Sequence, residues 1–240
     1  MKGVAGALAA SALAPSSLRQ KGPYQITIEG IRLKFSRMQH LENIDRYEQI
    51  AQEVKLLYPL THETQHITSL DVRDWALLHA RTVLKPYGRV LEMDPSIATW
   101  TETSHKVTAF HEAVHGFLES QPELLSEWNS LHARIKRNPR PNKFPSEHAV
   151  FSLFDEGNYE HSPWNADIGH PDENGHELCA SASAILRHHP LEFLKKLEAN
   201  RKRNPESFKL ALEVVRQVKK SYGAYSKELF SRPILELPGR

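Results

Sequence analysis

The sequence predicts a mainly helical α+β domain whose helices gather around a small N-terminal sheet. Three observations carry that expectation. Residues 24–35 (YQITIEGIRLKF) alternate apolar and polar side chains around Gly30, as a strand or bulged hairpin does. Most of the chain after residue 101 instead repeats apolar residues at the helical interval. The length of 240 residues, with 40% hydrophobic and 25% charged residues, is that of a globular chain with one main core.

Residues 1–22 read as a flexible N-terminus or a weak signal peptide. One positive charge precedes a run of small apolar residues, and Ala10-Ser11-Ala12 fits a small-x-small cleavage pattern. A signal peptide would make the protein secreted or periplasmic; otherwise it is cytoplasmic. Residues 3–17 are too few and too poor in large side chains to span a bilayer, so no membrane span is expected.

Residues 23–100 form the N-terminal part of the domain, with strands and two helices. After the hairpin, residues 41–57 place Ile44, Tyr47, Ile50, Ala51, Val54 and Leu57 on one helical stripe, which Pro59 ends. Residues 71–84 read as a second helix, with Trp75, Leu78 and Val83 inward, broken by Lys85-Pro-Tyr-Gly. Residues 89–93 suit a short strand. Residues 101–230 hold the remaining helices: 104–119, 122–135 with Pro122 in its first turn, 173–188, 191–200 and 205–222. Between them lie a Pro-rich basic loop at 137–145 and a long functional loop at 150–175, rich in Asp, Asn, Gly, His and Pro. No Gly/Ser-rich linker separates the two parts, which favours one core.

Charge and cysteine content narrow the function. Net charge is +2. Residues 187–220 carry ten basic against four acidic residues, with only Phe193 and Phe208 as aromatics among them. A solvated helical face accounts for that, so no nucleic-acid partner is expected. A single Cys, Cys179, excludes an intrachain disulfide. Fourteen His residues direct any metal site towards imidazole and carboxylate donors.

H-E-x-x-H occurs twice, at 62–66 and 111–115. The motif works on a helix, where residues i and i+4 share a face and two imidazoles reach one tetrahedral Zn²⁺. The Glu beside the first His then serves as general base. His111-Glu112-Ala113-Val114-His115 meets these demands, flanked by Val107, Phe110, Phe117 and Leu118 with no intruding charge. His62-Glu63-Thr64-Gln65-His66 follows Pro59 and precedes β-branched residues, so surface or capping roles are expected there. A third ligand is needed. Gln121 stands where a third His would mark the metzincins. Glu177 is the best candidate, on a helix whose Ala180 and Ala182 allow close approach; Glu173 is the runner-up. One Zn²⁺ per chain is expected.

At these residues the chain resembles the gluzincin metallopeptidases, and among them the lethal-factor-like group. The resemblance covers 101–223: the helix with His111–His115, the helix with Trp128, the Glu177 helix and the helical tail. It implies a single zincin-like domain that hydrolyses protein or peptide substrates. In that reading His111, His115 and Glu177 are ligands and Glu112 is the general base. The group places a Tyr seven residues before the ligand Glu to donate to the oxyanion; here that position is His170. His170 can donate in its place, with Tyr159 from the loop as the next choice and His176 or backbone donors as the remaining ones. Ser181 stands where the group often has a carboxylate that orients a ligand His, which weakens that support. A catalytically inactive zinc-binding adaptor or regulatory pseudo-peptidase is the alternative. An extended substrate would pair with an edge strand near the metal helix, at 89–93 or 97–101.

Overall fold

The hairpin forms as β1 (Tyr24–Ile28) and β2 (Ile31–Phe35), antiparallel. Its two connecting residues, Glu29 and Gly30, both have positive φ (52° and 80°), the tight reversal that matches strand twist. Only alternate residues of β2 are buried, so Ile31, Leu33 and Phe35 face the core. The computed structural model describes residues 24–74, 80–86, 88–99, 101–137, 149–159 and 170–238. The N-terminal 1–22 segment and the 137–145 loop beyond Arg137 lie outside them.

The expected helix at 71–84 is not there. Two strands occupy that stretch, the end of β3 (Ile67–Val72) and β4 (Ala80–Lys85). Trp75 and Leu78 fall outside the described residues. Val83 pairs with Val90 of β5 (Gly88–Met93), and Lys85-Pro-Tyr-Gly is the hairpin connection rather than a helix stop. The spacing of three apolar residues imitates a helix. β-branched Thr82 and Val83, and a partner strand close in sequence, decide otherwise.

The five strands run in the order β1-β2-β3-β5-β4. β2, β3 and β5 are parallel to one another, and the two outer strands are antiparallel to their neighbours. β5 is therefore interior, and residues 95–99 are a 3₁₀ turn. The edge strand on the side of the His111–His115 helix is β4, not either of the two segments expected from sequence.

The helices follow their stripes. α1 (Ile44–Lys55) buries Tyr47, Ile50, Ala51 and Val54. α2 (Glu102–Glu119) starts at Thr101, whose hydroxyl accepts the Ser104 N–H at 3.2 Å. α3 (Pro122–Arg137), α4 (Gly175–His188), α5 (Pro190–Arg203) and α6 (Pro205–Tyr222) complete the layer, with short turns Ser226–Leu229 and Arg232–Leu235 behind. One cluster of buried residues runs from Ile31 to Ile234, joining sheet and helices. The fold is mainly helical α+β. Among the described residues no helix is long and apolar enough to cross a membrane.

α4 lies at the centre. Ala180, Ser181, Ala182, Ser183 and Ala184 are fully buried, and their small size lets α2, α3 and α6 close around the helix. Gly175 marks the tightest approach: a Cβ there would lie 2.4 Å from the backbone of Trp128 and Asn129. The Asn129 side chain also accepts the Gly175 N–H at 3.1 Å. Gly175→Ala is therefore expected to lower stability by about 1–3 kcal/mol or more, because backbone must move. Chemical denaturation would read this, and an unchanged midpoint would contradict it. At the other end of α4, Arg187 grips Glu53 of α1 at 3.0 Å. Burial alone would raise the Glu53 pKa, but the His188 and Arg187 partners outweigh it and hold it below 4.5.

Candidate metal centre

His111 and His115 stand one turn apart on α2, both buried, with ring centroids 4.7 Å apart and planes at 82°. α4 brings the third group. Asn174 caps that helix by accepting the Glu177 N–H at 2.9 Å, which fixes Glu177 in the first turn. Its carboxylate meets both imidazoles: Oε2 is 3.2 Å from His111 Nε2 and Oε1 is 3.6 Å from His115 Nε2. Ligand atoms of His111, Glu112 and His115 lie within 4.8 Å of one another, as do those of His115, His176 and Glu177. These buried and half-buried groups could hold a metal ion. Two imidazole nitrogens and a carboxylate form a three-donor set that suits a divalent ion with a position left open.

Electrostatics support the fit. Burial opposes charge on Glu177, yet the adjacent histidines outweigh it and hold its pKa down at about 2. Burial likewise disfavours a charged His111, but Glu156 and Glu177 on either side hold its pKa well above 6.5. His115 goes the other way: burial, then the charge on His111, push it well below 6.5. Metal binding through Nε2 requires a deprotonated nitrogen, so a proton must leave His111. Metal affinity is thus expected to fall as pH drops, with proton release on binding. Calorimetric zinc titrations at several pH values, in buffers of different ionisation enthalpy, would measure both. Affinity independent of pH would contradict the geometry.

Glu112 points towards the sheet. Its Oε2 accepts the Thr82 hydroxyl of β4 at 2.8 Å, and the Thr82 backbone N–H also donates to it. Burial raises its pKa above the usual 4.5, against the pull of His111 and Thr82. Sequence reasoning missed Thr82, having placed it in a helix. It also missed Glu156. This side chain, 1% exposed, sits on a 3₁₀ turn (Glu156–Asn158), with Oε1 2.7 Å from His111 Nδ1. Ser181 does not take that part: its hydroxyl is buried with no hydrogen-bond partner among the described residues.

No protein-family model, curated protein or solved structure matches this chain. The site thus stands on its own geometry.

The remaining expected residues divide. His170 is exposed on the turn before α4, where its carbonyl accepts the Glu173 N–H at 3.0 Å. Among the described residues no contact joins its ring to His111, His115 or Glu177. Tyr159 is buried, and its hydroxyl donates to the Leu153 carbonyl at 2.7 Å, with Lys196 Nζ 3.7 Å over its ring. That hydroxyl is committed elsewhere. Glu173 is exposed and outside the cluster. In the 62–66 motif, His62 caps a 3₁₀ turn (Glu63–Gln65) by accepting the Thr64 N–H, and His66 stacks on Tyr58 at 4.0 Å. Gln65 there accepts from Arg89, which also pairs with Glu119 at the end of α2. The 62–66 motif braces α2 and has no α-helix of its own.

Proposed function

We propose that the chain is a zinc-dependent endopeptidase of the gluzincin type, with one zinc per chain and protein or peptide substrates. The observation that carries this reading is the meeting of Glu177 with both histidine Nε2 atoms beside a further carboxylate, Glu112. His111, His115 and Glu177 would hold the zinc ion, which when bound would supply Lewis-acid polarisation of a scissile carbonyl and a water of pKa about 7.

The chain's own residues do the rest. Glu112 takes the proton of the attacking water and returns it to the leaving nitrogen, and its raised pKa suits a group that must both accept and donate. Thr82 holds the Glu112 carboxylate in place while this happens. β4 offers an extended substrate a sheet edge alongside α2, because β5 covers only one of its sides. A zinc-binding adaptor would keep the three ligands but has no use for Glu112 or its Thr82 tether.

We carry His170 forward as the oxyanion donor on the resemblance alone: its ring touches none of the cluster among the described residues, and the Tyr159 hydroxyl is engaged by Leu153. His170→Ala is expected to lower kcat by about 10²–10³-fold with zinc content unchanged. Tyr159→Phe should leave kcat within a few-fold, and the reverse ranking would move the role to Tyr159. The primary test is metal analysis of the purified chain together with cleavage of a quenched-fluorescent peptide library. One zinc per chain and chelator-sensitive cleavage support the reading; a folded chain that takes up no zinc overturns it.

A further inference from the structure

Metal-bound histidines need their second nitrogen held, and the two rings here are held unequally. His115 Nδ1 is buried with no hydrogen-bond partner among the described residues. His111 Nδ1 has Glu156 at 2.7 Å. The Glu156 side chain is almost wholly buried, with His111 as its ion-pair partner. A carboxylate is taken out of water only where a donor meets it, so this placement needs His111 as much as His111 uses it.

The segment around Glu156 is built to deliver it. Phe151, Leu153 and Phe154 are buried on one side, and the Tyr159 hydroxyl closes back on Leu153. Asp155 caps the turn by accepting the Gly157 N–H at 2.9 Å. Phe154 packs on Phe193 of α5, with ring centroids 5.4 Å apart, which seats the turn against the helical layer. Backbone and core contacts thus fix the position of Glu156 before any metal arrives.

We propose that Glu156 is the positioning residue of the metal centre: it holds the proton of His111 on Nδ1 and so keeps Nε2 turned to the metal beside Glu177. The proposal rests on the zinc reading above. A carboxylate on Nδ1 fixes both tautomer and ring orientation and makes the other nitrogen a stronger donor. The support comes from the segment between α3 and α4. It does not come from the first turns of α4, where Ser181 offers only a buried hydroxyl. It also makes the two histidines unequal, with His111 the pre-set ligand and His115 the adaptable one.

The test is zinc affinity, measured by competition with a fluorescent chelator on the full-length wild type, Glu156→Gln and Glu156→Ala. Circular dichroism and thermal melting of each metal-free protein check the fold. Loss of such a partner typically weakens metal binding about 10–100-fold, and that is expected for Glu156→Ala. Glu156→Gln keeps a carbonyl that can accept from Nδ1–H, so its loss should be smaller. It decides the matter if the alanine variant does not fold. Co²⁺-loaded variants should show a shifted visible absorption spectrum, which a remote packing defect would not cause. Zinc affinities within twofold of wild type for both folded variants would overturn the proposal while leaving the peptidase reading intact. Absence of zinc binding in the wild type would overturn both.

Discussion

Glu112→Gln is expected to lower peptide hydrolysis by about 10²–10⁴-fold while zinc stays fully bound. The substitution is close to isosteric. The amide oxygen can still accept from Thr82, so the side chain keeps its place at the 2.8 Å contact with the sheet edge. It cannot take a proton from the attacking water. Because Glu112 lies outside the proposed ligand set of two imidazoles and Glu177, metal content should not follow activity down. The loss should fall on kcat with KM nearly constant, because the proton transfer belongs to the transition state and not to substrate binding. Steady-state kinetics on a peptide found by library screening, with metal analysis of the same sample, separates the two. A variant retaining a tenth or more of wild-type kcat would remove Glu112 from the role of base.

Glu177→Ala is expected to strip the metal. In the proposed site the carboxylate is the donor from α4, and it faces both Nε2 atoms. Its removal leaves the two imidazoles with only Glu112 beside them, whose carboxylate Thr82 holds at 2.8 Å, a poorer set than a catalytic zinc site uses. Metal content should fall to about a tenth per chain or less under conditions that saturate wild type. The metal-free fold should survive, because Asn174 caps α4 through the residue-177 backbone N–H, which alanine retains. His62→Ala is the control: it loses a turn cap and should keep its zinc. Equal metal loss in both variants would mean that the second H-E-x-x-H takes part, against its place on a 3₁₀ turn.

The parts of the site that could be read from sequence are those governed by short-range periodicity. His111 and His115 are four residues apart within an apolar helix, so their shared face follows from the spacing alone. Glu177 could be singled out because Leu178, Ala180, Ala182 and Ile185 mark a mostly buried helix, on which an acid needs a partner. The helices after 101 fall within a few residues of the expected bounds for the same reason. The strand β4 could not be read this way. Its neighbours Trp75 and Leu78 share a helical interval with Val83, and only pairing with β5 reveals the strand. Glu156 escaped because it sits in an irregular segment with no period. The available signal was its place two residues after the buried Leu153-Phe154 pair, but only the tertiary fold brings it to His111. His170 rests on the position of a Tyr in a resembling group and has no support from contacts in the folded chain.

The meeting of α2 and α4 has a thermodynamic consequence. His115 and Glu177 stand 62 positions apart, so an ion gripping both fastens a long loop that the unfolded chain must otherwise close at an entropic cost. Such an ion acts as a removable staple. At a free concentration 100 times its dissociation constant it would add about 2.7 kcal/mol to the folding equilibrium. For a chain of this length that corresponds to roughly 5–10 °C in melting temperature. In the proposed peptidase, catalytic readiness and resistance to unfolding would then rise and fall together with the supply of metal, so that a chain starved of zinc would be both idle and easier to degrade.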